Sequence, residues 1–207
     1  KSKKKSKKKS EALGEVDDAV TRELKARVGM YDMWVVPVPR DNNCQFHAIA
    51  DQLNQLGESV GHTDVSVREQ VVRTLRECRD HGTLSEGAFE AAAGQVSIYG
   101  GDADKYLIGM AGKEWGDSLT LVGAALAYNV DIQYITGIGD AAGFLCLDVP
   151  GRADPEPGEV SSRQTIFLGH EGERLWTSTT HSAPKERQVT AGQGDRPAVV
   201  TRAGQST

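Results

Sequence analysis

The sequence predicts an α+β fold, on three observations. Apolar residues recur at spacings of three and four through successive segments as far as Tyr128. From Val130 the period falls to two, and Val130-Asp131-Ile132-Gln133-Tyr134-Ile135 alternates as a half-buried strand does. Upstream, the polar turn Asp41-Asn42-Asn43-Cys44 runs directly into the apolar-periodic stretch Gln45 to Leu53, which sets one cysteine where turn becomes helix.

Taken in order, the chain divides into a basic tail (1–10), an N-terminal helix (11–29), a folded domain (30–181) and a polar tail (182–207). Ser10 can cap a helix over 11–28 in which Leu13, Val16, Val20, Leu24 and Val28 share one face. Met33 to Val38 reads as extended, stopped by Pro37 and Pro39. The cysteine helix is expected over 44–56, followed by a polar loop through Gly57 and Gly61. Val65 to Arg79 is amphipathic, with Val67, Val71, Val72 and Leu75 facing inward and Cys78 continuing that face as buried filler. Further helices are expected around Phe89, over 103–110 and over 117–128. Strands are expected at 130–135, at 144–149 with Cys146 in the core, at 164–168 and at 174–178. Gly, Pro and acidic residues make 150–163 a loop, and the aperiodic stretch from 182 is expected to be disordered.

Length and composition bound the function. The 207 residues suit one domain of about 150 residues plus tails. No run of about 18 apolar residues occurs, so no membrane span is expected, and the lysine-rich start lacks the apolar stretch of a secretory signal. Cys44, Cys78 and Cys146 are scattered without CxxC spacing, which points to reduced thiols and an intracellular setting, cytoplasmic and/or nuclear. Lys1 to Lys9 carries seven lysines and no acid, so a net charge of −5 leaves −12 for the remainder. Such an arm is a nuclear-localisation signal for an importin, a grip on RNA or another polyanion through counterion release, or a solvated tail. His170-Glu171-Gly172-Glu173-Arg174 lacks the second histidine of a zinc-protease helix, and the glycines at 137 and 139 precede a strand, not the helix a phosphate loop demands.

The chemistry centres on Cys44. A thiol at a helix start meets unpaired backbone N–H groups and the positive end of the helix dipole, which favour thiolate. Thiolate is the form that attacks a carbonyl carbon. From position alone, a half-buried structural cysteine is equally open.

The residues around it narrow the choice. Asp41 to Leu53 resembles the catalytic-cysteine box of the ovarian tumour (OTU) family of papain-like cysteine proteases, with Asn42 where the family usually has a glycine; asparagine tolerates a left-handed turn position better than most residues. Trp115-Gly116-Asp117-Ser118-Leu119-Thr120-Leu121, followed by Ala124, Ala125 and Tyr128, resembles the family helix that packs beside the cysteine helix. Ile166 to His170 and Glu173 to Ser178 resemble its last strand pair, so the likeness covers about residues 30 to 180. It implies a papain-like OTU fold: a small central, mostly antiparallel sheet flanked by helices, with the catalytic cysteine at a helix N-terminus. It also implies Cys44 as nucleophile, Asp41 as the stabiliser of its turn, and the backbone N–H groups of that turn (Asn42, Asn43) as oxyanion hole. Trp115 would border the cleft and Trp176 would wall the thiol. The implied partner is ubiquitin or a ubiquitin-like protein; no metal or organic cofactor is implied.

The chain departs from the family at one decisive place. Leu175 stands where the family has its general-base histidine, and Thr177 where it has the residue that orients the imidazole. A positioned base contributes about 100- to 10,000-fold. His170, five residues upstream, and His181, six downstream, are the candidate replacements. Along an extended strand either would begin about 15 to 20 Å away, so a fold-back or local shift is needed. His47, three residues after the cysteine on the same helix, is expected to be a packing or rim residue rather than the base. The reading places the Cys44 sulfur on an open groove opposite Leu175. Two functions follow: a cysteine-type deubiquitinase whose activity Leu175 weakens or abolishes, or a catalytically inactive OTU-like pseudoenzyme that binds ubiquitin or serves as an assembly module.

Overall fold

The computed structural model describes residues 19–57, 61–95, 99–140, 143–150, 152, 162–172 and 175–181. The basic tail, the first half of the expected N-terminal helix, most of the 150–163 loop, Glu173, Arg174 and the tail from 182 lie outside the described residues. Helix α1 covers 19–29. There follow β1 (Trp34–Val36), α2 (Cys44–Gln55), α3 (Asp64–Asp80), α4 (Glu86–Gln95), α5 (Ala103–Ala111), α6 (Ser118–Tyr128), β2 (Asp131–Thr136), β3 (Leu145–Cys146), β4 (Thr165–His170) and β5 (Trp176–Thr180).

The strands form one sheet in the order β1-β5-β4-β2-β3. β2 and β4 run parallel and the other pairs antiparallel, so the mostly antiparallel sheet expected from the sequence is present, with one parallel pair at its centre. Alternation along the strands sorts the apolar residues onto two faces. Ile132, Tyr134, Ile166, Leu168 and Trp176 join the main core, to which α2 to α6 contribute. On the other face, Val35, Ile135 and Phe167 meet Leu24, Val28 and Met33, so α1 covers a second, smaller core.

Polar bonds fix the ends. Thr63 and Ser66 form a reciprocal cap on α3, Asp117 and Thr120 another on α6, and Asn129 ends α6 in the left-handed conformation at φ 49°. Buried Arg27 ties α1 to the turn after β2, donating from Nη1 to the Thr136 carbonyl at 2.8 Å and from Nη2 to the Gly139 carbonyl at 2.7 Å. A methyl group at Gly137 would lie 2.5 Å from the Val20 carbonyl oxygen. Gly137→Ala is therefore expected to push α1 off the sheet at a cost of about 1–3 kcal/mol, read as a lower urea midpoint and faster proteolysis within 19–29.

Two expectations are corrected. The strand expected at 144–149 shrinks to Leu145–Cys146 at the edge of the sheet, and Cys146 is exposed, not part of the core. Its neighbour Phe144 is drawn between Tyr31 and Phe167, with ring centroids 5.0 and 5.2 Å away. The last two strands also lie slightly further along the chain than expected, because the chain reverses where the Glu171 N–H bonds the Leu175 carbonyl at 2.9 Å.

Candidate active site

The turn before α2 is built from its own side chains. Asp41 Oδ1 accepts the Asn43 N–H at 2.8 Å, and the Asp41 carbonyl accepts the Cys44 N–H at 3.1 Å. Asn42 donates from Nδ2 to the Lys113 carbonyl at 2.6 Å, and Asn43 from Nδ2 to Asp64 Oδ2 at 2.9 Å. His47 Nε2 lies 3.4 Å from Asp41 Oδ2 and its Nδ1 3.6 Å from Asp64 Oδ1, so this histidine is held by the carboxylates flanking the turn. Asn42 is not left-handed: among the described residues other than glycine, positive φ occurs at Asp32 and Asn129. The allowance for asparagine at the family's glycine position is therefore not used. Of the two expected oxyanion donors, the Asn43 N–H is already taken by Asp41, while the Asn42 N–H makes no hydrogen bond among the described residues.

Cys44 contradicts two expectations. It is 1% exposed, so the groove is closed over the sulfur. Burial pushes its thiol pKa above the ordinary value and the Asp41 charge adds to this, while N–H groups of Trp176, Gln45 and Cys44 itself pull the other way without prevailing. The cost of desolvating an anion exceeds what the helix terminus returns, so the resting group is a neutral thiol. Exposed Cys146 should react with iodoacetamide well before Cys44 at pH 8, and the Cys44 rate should keep climbing above the usual thiol range; equal rates by mass spectrometry would contradict the closed geometry.

The contact with Trp176 locates residue 175. β1 stops opposite Ser178, and beyond that point the Trp176 N–H donates to the Cys44 sulfur. Leu175, the residue before it, lines a cavity with Pro37, Val38, Arg40, Glu171 and Thr177. Arg40 and Glu171 form an ion pair across its mouth. Thr177 is buried on the α1 side, its hydroxyl donating to the Ser178 carbonyl at 3.0 Å. His170 is much nearer than an extended strand would put it. The hairpin pairs it with Trp176, and the two rings lie 4.5 Å apart between centroids. His181 stays at the far end of β5, its ring 6.2 Å from that of Phe167. Trp115 is half-buried against the main core. No group of three or more His, Cys, Asp or Glu placed to hold a metal occurs among the described residues.

This chain is 37% identical over 161 residues to "OVARIAN TUMOR DOMAIN-containing deubiquitinating enzyme 10" of Arabidopsis thaliana, a match spanning 77% of the chain and 36% of the relative. Enzyme 12 of the same series and organism is 29% identical over 118 residues, 56% of the chain and 46% of the relative. The solved OTU domain of OTUD1 superimposes with a TM-score of 0.58 at 16% identity, covering 80% of this chain and 97% of that one. The chain carries an OTU domain. No family model matches it, and it spans little more than a third of the first relative and less than half of the second.

Within the OTU domain, several residues that hold the site carried no recognisable signal. Gln45 is buried in the first turn of α2, donates to the Asp117 carbonyl at 3.1 Å and accepts the Thr120 hydroxyl at 2.6 Å. The Tyr106 hydroxyl donates to both carboxylate oxygens of Asp117, at 2.9 and 3.0 Å. A methyl group on Gly116 would lie 2.2 Å from Gln45 Oε1, which explains the glycine after Trp115. Helix α6 thus meets the cysteine helix at their first turns, while its length packs on α3. Gln52 holds β5 and β4 to α2, donating to the Thr179 carbonyl at 2.5 Å and accepting the Phe167 N–H at 2.8 Å. Arg68, on the face of α3 defined by four aliphatic residues, is buried as well.

Proposed function

We propose that this OTU domain is a cysteine-type deubiquitinase module whose nucleophile is Cys44. The observation that carries the reading is the Trp176 N–H on the Cys44 sulfur, which sets the thiol beside position 175 in a domain whose relatives are named deubiquitinating enzymes. Sγ would attack the carbonyl carbon of the amide joining the C-terminal glycine of ubiquitin to a lysine. The thiol proton passes to the departing amine, and water then releases the acyl group. The N–H of Asn42 is the free donor of the turn toward the oxyanion, and one such donor is worth about 3 kcal/mol. Leu175 takes no proton, so both steps are slow. Substrate must also open the packing over a sulfur that is buried at rest.

Incubation with ubiquitin bearing a C-terminal electrophile, alongside a fluorogenic ubiquitin substrate, tests this. Labelling at Cys44 with slow turnover is the expected result. Labelling without turnover indicates a competent thiol lacking a base. Absence of both signals supports the second reading, an inactive OTU-like module that binds ubiquitin or serves in assembly, which Leu175 and the neutral, buried thiol favour. The Lys1–Lys9 arm is read as a contact for a polyanion such as RNA, or for an importin, in the cytoplasm or nucleus.

A further inference from the structure

We propose that Arg68 is a positioning residue for the Cys44 turn and the fixed positive charge of a site whose position 175 holds no imidazole. This rests on the reading of Cys44 as nucleophile. Arg68 is 5% exposed and spends its guanidinium on the site. Nε donates to Asn43 Oδ1 at 2.8 Å, and Nη2 donates to the carbonyls of Asn42 and Glu114, each at 2.8 Å. Nη1 donates to the Met110 carbonyl at 2.8 Å, and the guanidinium carbon lies 4.1 Å from the centroid of the Phe46 ring. One side chain therefore fastens the cysteine turn to the 110–114 segment that leads into Trp115.

The bond pattern has a specific effect on the peptide between Asn42 and Asn43. Its carbonyl is held by Arg68 and its N–H by Asp41 Oδ1 at 2.8 Å, so both edges are pinned and the peptide cannot flip. The neighbouring Asn42 N–H and the Cys44 Cα take their directions from it. Only a planar fork reaches these acceptors together; a lysine ammonium supplies charge from one point. The guanidinium is bonded within the turn that ends at Cys44, so its charge attracts the sulfur once ionised, by less than burial and Asp41 act on it, and Arg68 remains a cation although burial lowers its pKa. The guanidinium therefore favours a thiolate when one forms.

Arg68→Lys and Arg68→Met in the full chain test this, with folding followed by circular dichroism. Loosening the turn should lower kcat on a fluorogenic ubiquitin substrate by about 100-fold, with KM within about threefold. The pH midpoint of Cys44 alkylation by iodoacetamide should rise in Arg68→Met, whereas Arg68→Lys should restore the midpoint without restoring kcat. An unchanged kcat in a folded variant, or an unchanged midpoint in Arg68→Met, overturns the proposal. If the unmodified chain shows no turnover, the deubiquitinase reading fails alone and the midpoint still decides on Arg68. If both variants unfold, Asn43→Ala removes one of the guanidinium's acceptors and leaves Arg68 in place; kcat or the alkylation midpoint should then shift, and no change in either overturns the proposal.

Discussion

Replacing Leu175 with histidine is expected to raise hydrolysis of a fluorogenic ubiquitin substrate by about 100- to 10,000-fold, the span a positioned base contributes. The expectation is geometric. The N–H that meets the Cys44 sulfur belongs to Trp176, so a side chain at 175 starts one residue from that contact, in the cavity lined by Pro37, Val38 and Arg40. An imidazole there could take the thiol proton and, once charged, hold the thiolate that burial now disfavours. The gain should fall in kcat and not in KM, and alkylation of Cys44 should set in at lower pH. Thr177 shares its strand parity with residue 175, so Leu175→His with Thr177→Asn should exceed the single exchange by orienting the ring. A folded Leu175→His variant with no gain would remove position 175 from the site. His170 is the natural control: it stacks on the Trp176 ring, and His170→Ala should leave the gain from Leu175→His intact.

The second large effect is on stability. Asp117→Ala is expected to cost about 2–4 kcal/mol, combining a lost helix cap with a stranded Tyr106 hydroxyl. For a chain of this size that lowers the melting temperature by about 4–16 °C. The carboxylate, itself half-buried, accepts the Thr120 N–H at 2.9 Å and both contacts from the fully buried Tyr106. Tyr106→Phe should cost less alone, and less still when Asp117 is already Ala, because the hydroxyl no longer needs an acceptor. A full additive cost in the double variant would argue against the pair. The pH dependence has a distinctive sign. Burial pushes the Asp117 carboxyl above its ordinary value, so the folded state binds this proton more tightly than the unfolded chain. Its contribution to stability therefore declines as pH rises past the usual carboxylate range, the reverse of a salt-bridged aspartate. Asp117→Asn should flatten that decline in urea titrations at stepped pH.

Much of this was written locally in the chain. The periods of α2, α3 and α6 and the alternation of β2 are properties of adjacent residues, as is the Asp117-to-Thr120 cap spacing, and each element formed where those patterns lie. The thiol was misread because a helix terminus is a local feature while burial is a global one, and burial dominates at Cys44. The approach of His170 needs the fold-back between the last two strands, and the pairing of His170 with Trp176 supplies it. Arg27, Arg68 and Gln52 were missed for a shared reason. Their partners include backbone carbonyls or amides far along the chain, groups every residue carries and no side-chain pattern announces.

The borders of the sheet have a consequence for how the domain behaves beside other chains. β1 has three residues and runs out at Pro37; β3 has two. Such stubs give an approaching extended polypeptide almost no ladder of amides to zip onto. The fold can therefore be tethered at high local concentration, as one part of a longer protein, without seeding fibrils through its own rims.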